Sequence, residues 1–232
     1  KWTARPANGA RGVDPHPNPA ATCEPAAGDT VMCKQDLLAG GGFAMARKLT
    51  CAGGGSCSLL MSLTNSVPAG VRSKSDAATL ARAALTAAAT TGAPALKAAH
   101  AAWWAEFWSQ SFMSVPDPIV ESFHALQLYK VASATRCDGP DNCWAMDLAM
   151  TWYVPIGRWH DYHWDLNVQM SYWLVLPSNH AGLGNSLVAQ MKRNLPFLIK
   201  SVPPQFQNDS AAQAANTGWE GRSSCDAFLL SN

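Results

Sequence analysis

Long apolar runs are missing from this chain. No stretch of about 18 apolar residues occurs, so no membrane-spanning helix is expected. An excess of either charge is missing as well: 17 Lys and Arg stand against 16 Asp and Glu, a formal net charge of +1, and 14% of the 232 residues are charged. A nucleic-acid partner calls for a basic face, so none is expected. No C-x2-C occurs, which excludes an ordinary zinc ribbon. No sequence block repeats at a fixed period. Neither an initiating Met nor a signal-peptide pattern stands at Lys1, and no recognisable closing element stands at Asn232, so a piece of something longer is expected. The length suits one good domain or two small ones.

Cysteine and tryptophan, by contrast, are plentiful. Of seven Cys, Cys51/Cys57 and Cys137/Cys143 form local pairs in Gly- or Asp-rich loops, and Cys23/Cys33 offers a third, leaving Cys225 over. Loop-clipping pairs favour an oxidising compartment, so a secreted or lumenal location is expected over a cytosolic chain of reduced thiols. Asn208-Asp209-Ser210 is a glycosylation sequon, consistent with secretion and common by chance. Ten Trp is several-fold above ordinary usage, and most lie between Trp103 and Trp173. Such density is frequent in carbohydrate-active proteins and in any large aromatic core.

Residues 159–173, W-H-D-Y-H-W-D-L-N-V-Q-M-S-Y-W, interleave flat rings with groups capable of chemistry. That mixture suits a pocket for a polar, ring-shaped ligand such as a sugar: aromatics cover C–H faces while carboxylates and amides pair with hydroxyls. With a helix from about residue 162, His163, Asn167, Met170 and Leu174 share one stripe, and Asp161, Asp165, Gln169 and Trp173 another. Asp165 and Asn167 then diverge. They converge on one ligand only if the helix starts later, in which case Asp161, His163, Asp165 and Asn167 all reach a pocket at its start, where acids are also favoured by the helix dipole. The rival readings are a well-paired polar helix start under an aromatic core, and a metal site at His160, Asp161, His163 and Asp165. The latter matches no standard zinc signature, so no metal and no other cofactor is expected.

The run from Asp161 to Trp173 resembles the D-Y-H-x-[DN]-x-N-x-Q-x-x-Y-W segment of glycoside hydrolase family 95, and Leu176-Pro177-Ser178-Asn179-His180 is similar to a stretch downstream of it there. The resemblance covers roughly residues 103–204 and is specific at the central segment. It implies an α-L-fucosidase-like enzyme with an (α/α)6-barrel catalytic domain, preceded by a β-sandwich. Inverting hydrolysis needs a general acid and a base-activated water on opposite faces of the sugar, with the carboxyls roughly 6.5–9.5 Å apart. By resemblance, Asp165 and Asn167 hold that water, and His163 binds a sugar hydroxyl. At the position the pattern writes [DN], the family's familiar residue is Asn and this chain has Asp165, which puts L-fucose as the substrate in doubt. The family's general acid is a Glu well downstream, for which this chain offers no match.

The chain in order fits that expectation. Residues 1–28 read as loop. Residues 30–34, 42–50 and 56–65 read as strands, with Gly53-Gly54-Gly55 as a hairpin connection. Residues 74–89 are an Ala-rich helix capped by Ser75 or Asp76, read as a solvated linker. Residues 95–111 form a second helix with a stripe at positions 100, 103, 104, 107, 108 and 111. There Glu106 reads as solvated or paired. Residues 119–136 form a third, with Glu121 in its first turn and Arg136 capping its end. Residues 183–202 form a further helix, kinked or divided by Pro196. From Gln205 onward the chain is polar and ambiguous.

The fold class expected is therefore mainly α. Residues 1–70 would be the last strands of a β-sandwich domain, residues 71–94 a linker helix, and residues 95–232 part of an (α/α)6 barrel. Asp165 and Asn167 are the candidate catalytic residues. His163, Asp161, Trp159, Trp164 and Trp152 are the candidate substrate-binding ones. The reading is an inverting glycoside hydrolase with a carbohydrate substrate and no nucleic-acid or membrane partner. A non-catalytic carbohydrate-binding domain and a helical domain with no ligand are the alternatives.

Overall fold

A computed structural model describes residues 18–24, 29–37, 41–52, 54–66, 76–137, 143–146 and 162–217, with Asp165 represented by its backbone alone. The chain divides into two compact units, and the boundary between Trp104 and Ala105 falls inside a helix.

In the first unit, strands β1 (Thr22–Cys23), β2 (Thr30–Asp36), β3 (Gly42–Cys51) and β4 (Cys57–Asn65) form one antiparallel sheet in that order. Side chains alternate across the pleat. Ala44 and Ala46 of β3 turn to one face with Met32 of β2, while Phe43, Leu49, Leu59, Met61 and Leu63 lie exposed. Gly42 permits a close strand approach, because a Cβ there would stand 2.6 Å from the Gln35 carbonyl oxygen. The β3–β4 hairpin turns through Gly54 and Gly55 at φ 100° and 82°, a region that favours glycine. Two disulfides join directly opposed residues, Cys23–Cys33 across β1 and β2 and Cys51–Cys57 across β3 and β4. In the chain-entropy picture each short closure contributes about 2–3 kcal/mol.

Helix α1 (Ala77–Thr91) covers the alanine face of the sheet. Asp76 caps it: the carboxylate accepts from the Thr79 N–H at 2.8 Å and from the Thr79 hydroxyl at 3.0 Å. These bonds hold the Asp76 carboxyl below its ordinary value. Ala77, Ala81 and Leu85, spaced i, i+4, i+8, are buried against Met32, Ala44 and Ala46. Small residues on both surfaces let helix and sheet approach closely. Arg82 pairs with Glu24 and Lys48 with Asp29 at the edge of this interface. Helix α1 is thus one layer of a two-layer unit, and the expected solvated linker is corrected. Its buried stripe is mostly alanine, which barely registers as apolar in the sequence.

Helix α2 (Ala93–Ser109) runs across the boundary. Of its expected stripe only Phe107 is fully buried, while Trp103 and Trp104 are half-buried. In the second unit, α3 (Pro118–Ala134) begins at the Asp117 cap, whose carboxylate accepts from the Ile119 N–H at 2.8 Å. Arg136 donates from Nε to the Ala132 carbonyl at 2.9 Å, the capping role its position implies. The third disulfide, Cys137–Cys143, closes a loop. Then come β5 (Tyr162–His163), a π-helical turn (Trp164–Val168), α4 (Gln169–Trp173), α5 (Asn185–Lys200) and β6 (Asn216–Thr217). Pro196 lies inside α5 without dividing it.

The expected architecture is overturned. The strands are a four-stranded sheet with a helix on one face. A sandwich sets a second sheet on a first, and among the described residues the only other sheet is the β5–β6 ribbon. Nor do the helices form part of an (α/α)6 barrel, because α3 and α5 do not pack along each other. The reason lies in the side chains of α3. Its buried residues, Leu128, Val131 and Ala132, gather in the C-terminal half, while Ile119, Val120, Phe123, Leu126 and Tyr129 stay exposed around it. No single stripe defines a helix–helix seam.

Replacing Leu85 with Ala should lower stability by about 2–5 kcal/mol, since it empties the largest helix contact on the sheet. Asp76→Ala should cost about 1 kcal/mol through the lost cap. Urea unfolding of both variants checks the pair, and an unchanged midpoint for Leu85→Ala would mean that α1 does not hold the sheet.

Candidate functional site

The central segment does not begin as a regular helix. Tyr162 and His163 form β5, paired antiparallel with β6 so that Tyr162 opposes Thr217 and His163 opposes Asn216. The Trp164 backbone N–H then donates to the Ala215 carbonyl at 2.7 Å and extends the ribbon by one bond. Residues Trp164–Val168 make the π-helical turn, and regular α-helix starts only at Gln169. Leu166, between Asp165 and Asn167, has φ 73° and is 52% exposed. A bulky residue in the left-handed region is uncommon and costs of order 1–3 kcal/mol.

Two faces of this ribbon differ. On one, Tyr162, Trp164 and Thr217 are buried. The Trp164 indole N–H donates to Thr217 Oγ1 at 2.6 Å, the Tyr162 and Trp164 rings stack at 5.2 Å, and the Tyr162 hydroxyl donates to the Ala145 carbonyl at 2.9 Å. On the other, His163 and Asn216 are half-buried. Tyr172 anchors α4. Its hydroxyl accepts from the Met146 N–H at 2.8 Å and donates to Ser186 Oγ at 2.8 Å, and the Ser186 hydroxyl in turn donates to the Leu183 carbonyl at 2.9 Å. Residues 143–146 are held by Arg193, which stacks 3.9 Å over the Trp144 ring and donates to the Gln190 side chain and the Cys143 carbonyl.

The candidate residues are placed unevenly. Trp152, Trp159 and Asp161 lie outside the described residues, as does the Asp165 side chain. Trp164 is 5% exposed, so it braces the turn from inside instead of offering a sugar its open face. His163 stands on the open face of the ribbon. Asn167 is half-buried on the π-turn, and its carbonyl accepts from Ser171 Oγ at 3.0 Å. The expected helix from residue 162 is replaced by a π-helical turn over Trp164–Val168, with regular helix only from Gln169. The sequence reading missed Asn216 and Thr217, which belong to a two-residue strand no periodicity announces. It also gave no role to His180.

His180 is 2% exposed and stacked on the Phe107 ring with centroids 3.9 Å apart. Its Nδ1 is 3.0 Å from Gln110 Oε1, while Nε2 is buried with no partner among the described residues. Asn179, at φ 58°, donates from Nδ2 to the Gln110 carbonyl at 2.8 Å, and Ser111 Oγ donates to the Ser178 carbonyl at 2.5 Å. These bonds fasten the turn after α4 to the end of α2. Burial first, and then the neighbouring His124, push the His180 imidazole below its ordinary value. No protein-family model matches the chain, and no curated protein matches it.

Because folded His180 resists protonation, acid favours the unfolded chain, which takes up the proton. Stability from this group is complete above the ordinary 6.5 and declines as pH falls below it toward the depressed folded value. The wild type should therefore lose more stability on acidification through that range than His180→Gln, measured by urea melts. Thr217→Val should cost about 1–3 kcal/mol by orphaning the buried Trp164 N–H, read from the same melts.

Proposed function

We infer that the intact protein is a carbohydrate-active enzyme of an oxidising compartment, a glycoside hydrolase of the inverting, α-L-fucosidase-like kind. One observation carries this reading. The two polar residues that the resemblance assigns to the water, Asp165 and Asn167, flank a strained Leu166 on a π-turn, ahead of the regular helix. Such turns and such strain gather at functional sites, because packing alone gives no reason to keep them. In this role Asp165 takes the proton of the attacking water and the Asn167 amide orients that water, while the glycosidic C–O bond breaks and the leaving oxygen takes its proton from a general acid outside the central segment. His163 binds a sugar hydroxyl, and Asp161, Trp159 and Trp152, which lie outside the described residues, are the further sequence candidates for sugar contact. A carboxylate where the family's familiar residue is Asn lets Asp165 act as base directly, and it leaves the identity of the sugar open among exo-glycosidase substrates.

The compartment rests on the three disulfides, Cys23–Cys33, Cys51–Cys57 and Cys137–Cys143. Disulfides persist in secreted and lumenal proteins and are rare in a reducing cytosol. No helix among the described residues is long and apolar enough to cross a membrane. Asn208 of the glycosylation sequon is exposed in a turn, accessible as a secreted protein's acceptor would be.

Hydrolysis of a panel of aryl glycosides, with 4-nitrophenyl α-L-fucoside first, tests the activity in the intact protein. Asp165→Ala should lower kcat by about 10²- to 10⁴-fold, the usual weight of a general base, with KM little changed. The released sugar should carry the inverted anomeric configuration by NMR. A protein that hydrolyses none of the panel yet shows a saturable Trp fluorescence shift with sugars is a carbohydrate-binding module. One with neither response has no carbohydrate function.

A further inference from the structure

We propose that Asn216 is a second sugar-binding side chain of this site, paired with His163 and reading adjacent hydroxyls of one pyranose ring. The inference rests on the carbohydrate reading above and adds to it a residue about fifty positions downstream of the central segment.

The register of the β5–β6 ribbon carries it. His163 and Asn216 are direct cross-strand partners. Side chains of such partners project from the same face, with Cβ atoms about 4.5–5.5 Å apart. The neighbouring pair, Tyr162 and Thr217, projects from the opposite face and is buried, with Thr217 engaged by the Trp164 indole. That engagement settles which way the strand faces. A one-residue slip would carry Thr217 away from Trp164 and turn Asn216 inward. His163 and Asn216 are both half-buried, sheltered enough to exclude some water and open enough to meet a ligand.

The chemistry of the pair is complementary. A carboxamide offers a donor and an acceptor, and an imidazole offers one of each in its neutral form. A vicinal diol presents the same two roles from neighbouring oxygens. Two side chains held rigidly one strand apart can therefore distinguish epimers, because inverting one hydroxyl leaves a site group unpaired. The ribbon leads directly into the π-turn that bears Asp165 and Asn167, so a ring held there lies beside the proposed water. Asn216 is thus a specificity-determining residue, and a polar tail with no periodic pattern contributes to the site.

The test uses the intact protein, calorimetry, and methyl glycosides beginning with methyl α-L-fucoside, together with the monodeoxy analogues of whichever glycoside binds. Asn216→Ala should weaken the parent glycoside about three- to tenfold, the worth of one hydrogen bond. That loss should vanish for one particular deoxy sugar, the one lacking the hydroxyl Asn216 contacts. Asn216→Asp, which keeps the side-chain shape, should change the ranking of epimers. It carries the same comparison if Asn216→Ala fails to fold by its melt. If the wild type binds a glycoside and neither variant changes affinity, the role of Asn216 is overturned while the carbohydrate reading stands. An equal loss for parent and every deoxy analogue means a structural role and overturns it also. No binding of any glycoside by the wild type overturns the carbohydrate reading, and this inference with it.

Discussion

Leu166 keeps a left-handed backbone only because both ends of its turn are fixed, and the candidate site depends on that fixation. Upstream, the Trp164 backbone N–H is bound by Ala215 and its indole N–H by Thr217. Downstream, α4 is secured through Tyr172, whose hydroxyl receives the Met146 N–H and binds Ser186. Each such bond adds about 0.5–1.5 kcal/mol net, so the set together offsets a strain of order 1–3 kcal/mol. Without these anchors the segment would relax toward regular helix and Leu166 would lose its left-handed backbone. The residues that matter for geometry are therefore not the ones that would touch a ligand. Trp164 illustrates the point. In the sequence it looks like a stacking platform, and in the structure it is a brace.

The first unit is organised by a different constraint. Its core is made of alanines, with Ala44 and Ala46 on the sheet facing Ala77 and Ala81 on the helix. Alanines bury little area each, so stability there depends on close approach and on covalent closure by two cross-strand disulfides. This explains why a helix that reads as a solvated spacer is in fact a packed layer. Its buried residues are small, although their spacing is regular.

How much was legible in the sequence reflects this difference. The longer strands were legible in the alternation of Phe43, Met45 and Leu49 with smaller or basic residues, but the face was not: the structure buries Ala44 and Ala46 and leaves Phe43 and Leu49 exposed. Helices α1, α2, α3 and α5 were legible from propensity and, for α1, from the Asp76 cap. The three local cysteine pairs were legible because a short loop between cysteines leaves few other partners, and all three form. Periodicity could not disclose the layer arrangement. It says that a face is apolar, as on α3, without saying that anything covers it. The expected sandwich and helical barrel came from a resemblance concentrated in thirteen residues, too short a run to fix a fold. The π-turn and the β5–β6 ribbon were out of reach for another reason. Two-residue strands have no period, and a turn fixed by partners fifty residues away has no local signature.

The second unit relies on directed polar bonds where the first relies on contact between methyl groups. Helix α5 buries Ser186, Gln190 and Asn194 along one stripe and leaves Val188, Leu195 and Phe197 exposed, so its amphipathicity is partly reversed. Buried amides and hydroxyls are costly unless paired, and most of these are. Ser186 closes the chain from Met146 through Tyr172 to Leu183, and Gln190 accepts from Arg193. Directed bonds position backbone more sharply than apolar contact does, because each has a preferred angle as well as a distance. The same choice makes the region intolerant of conservative change. An apolar replacement of Ser186 or Thr217 preserves volume and still strands a donor, so side chains that touch no substrate become as constrained as those that would.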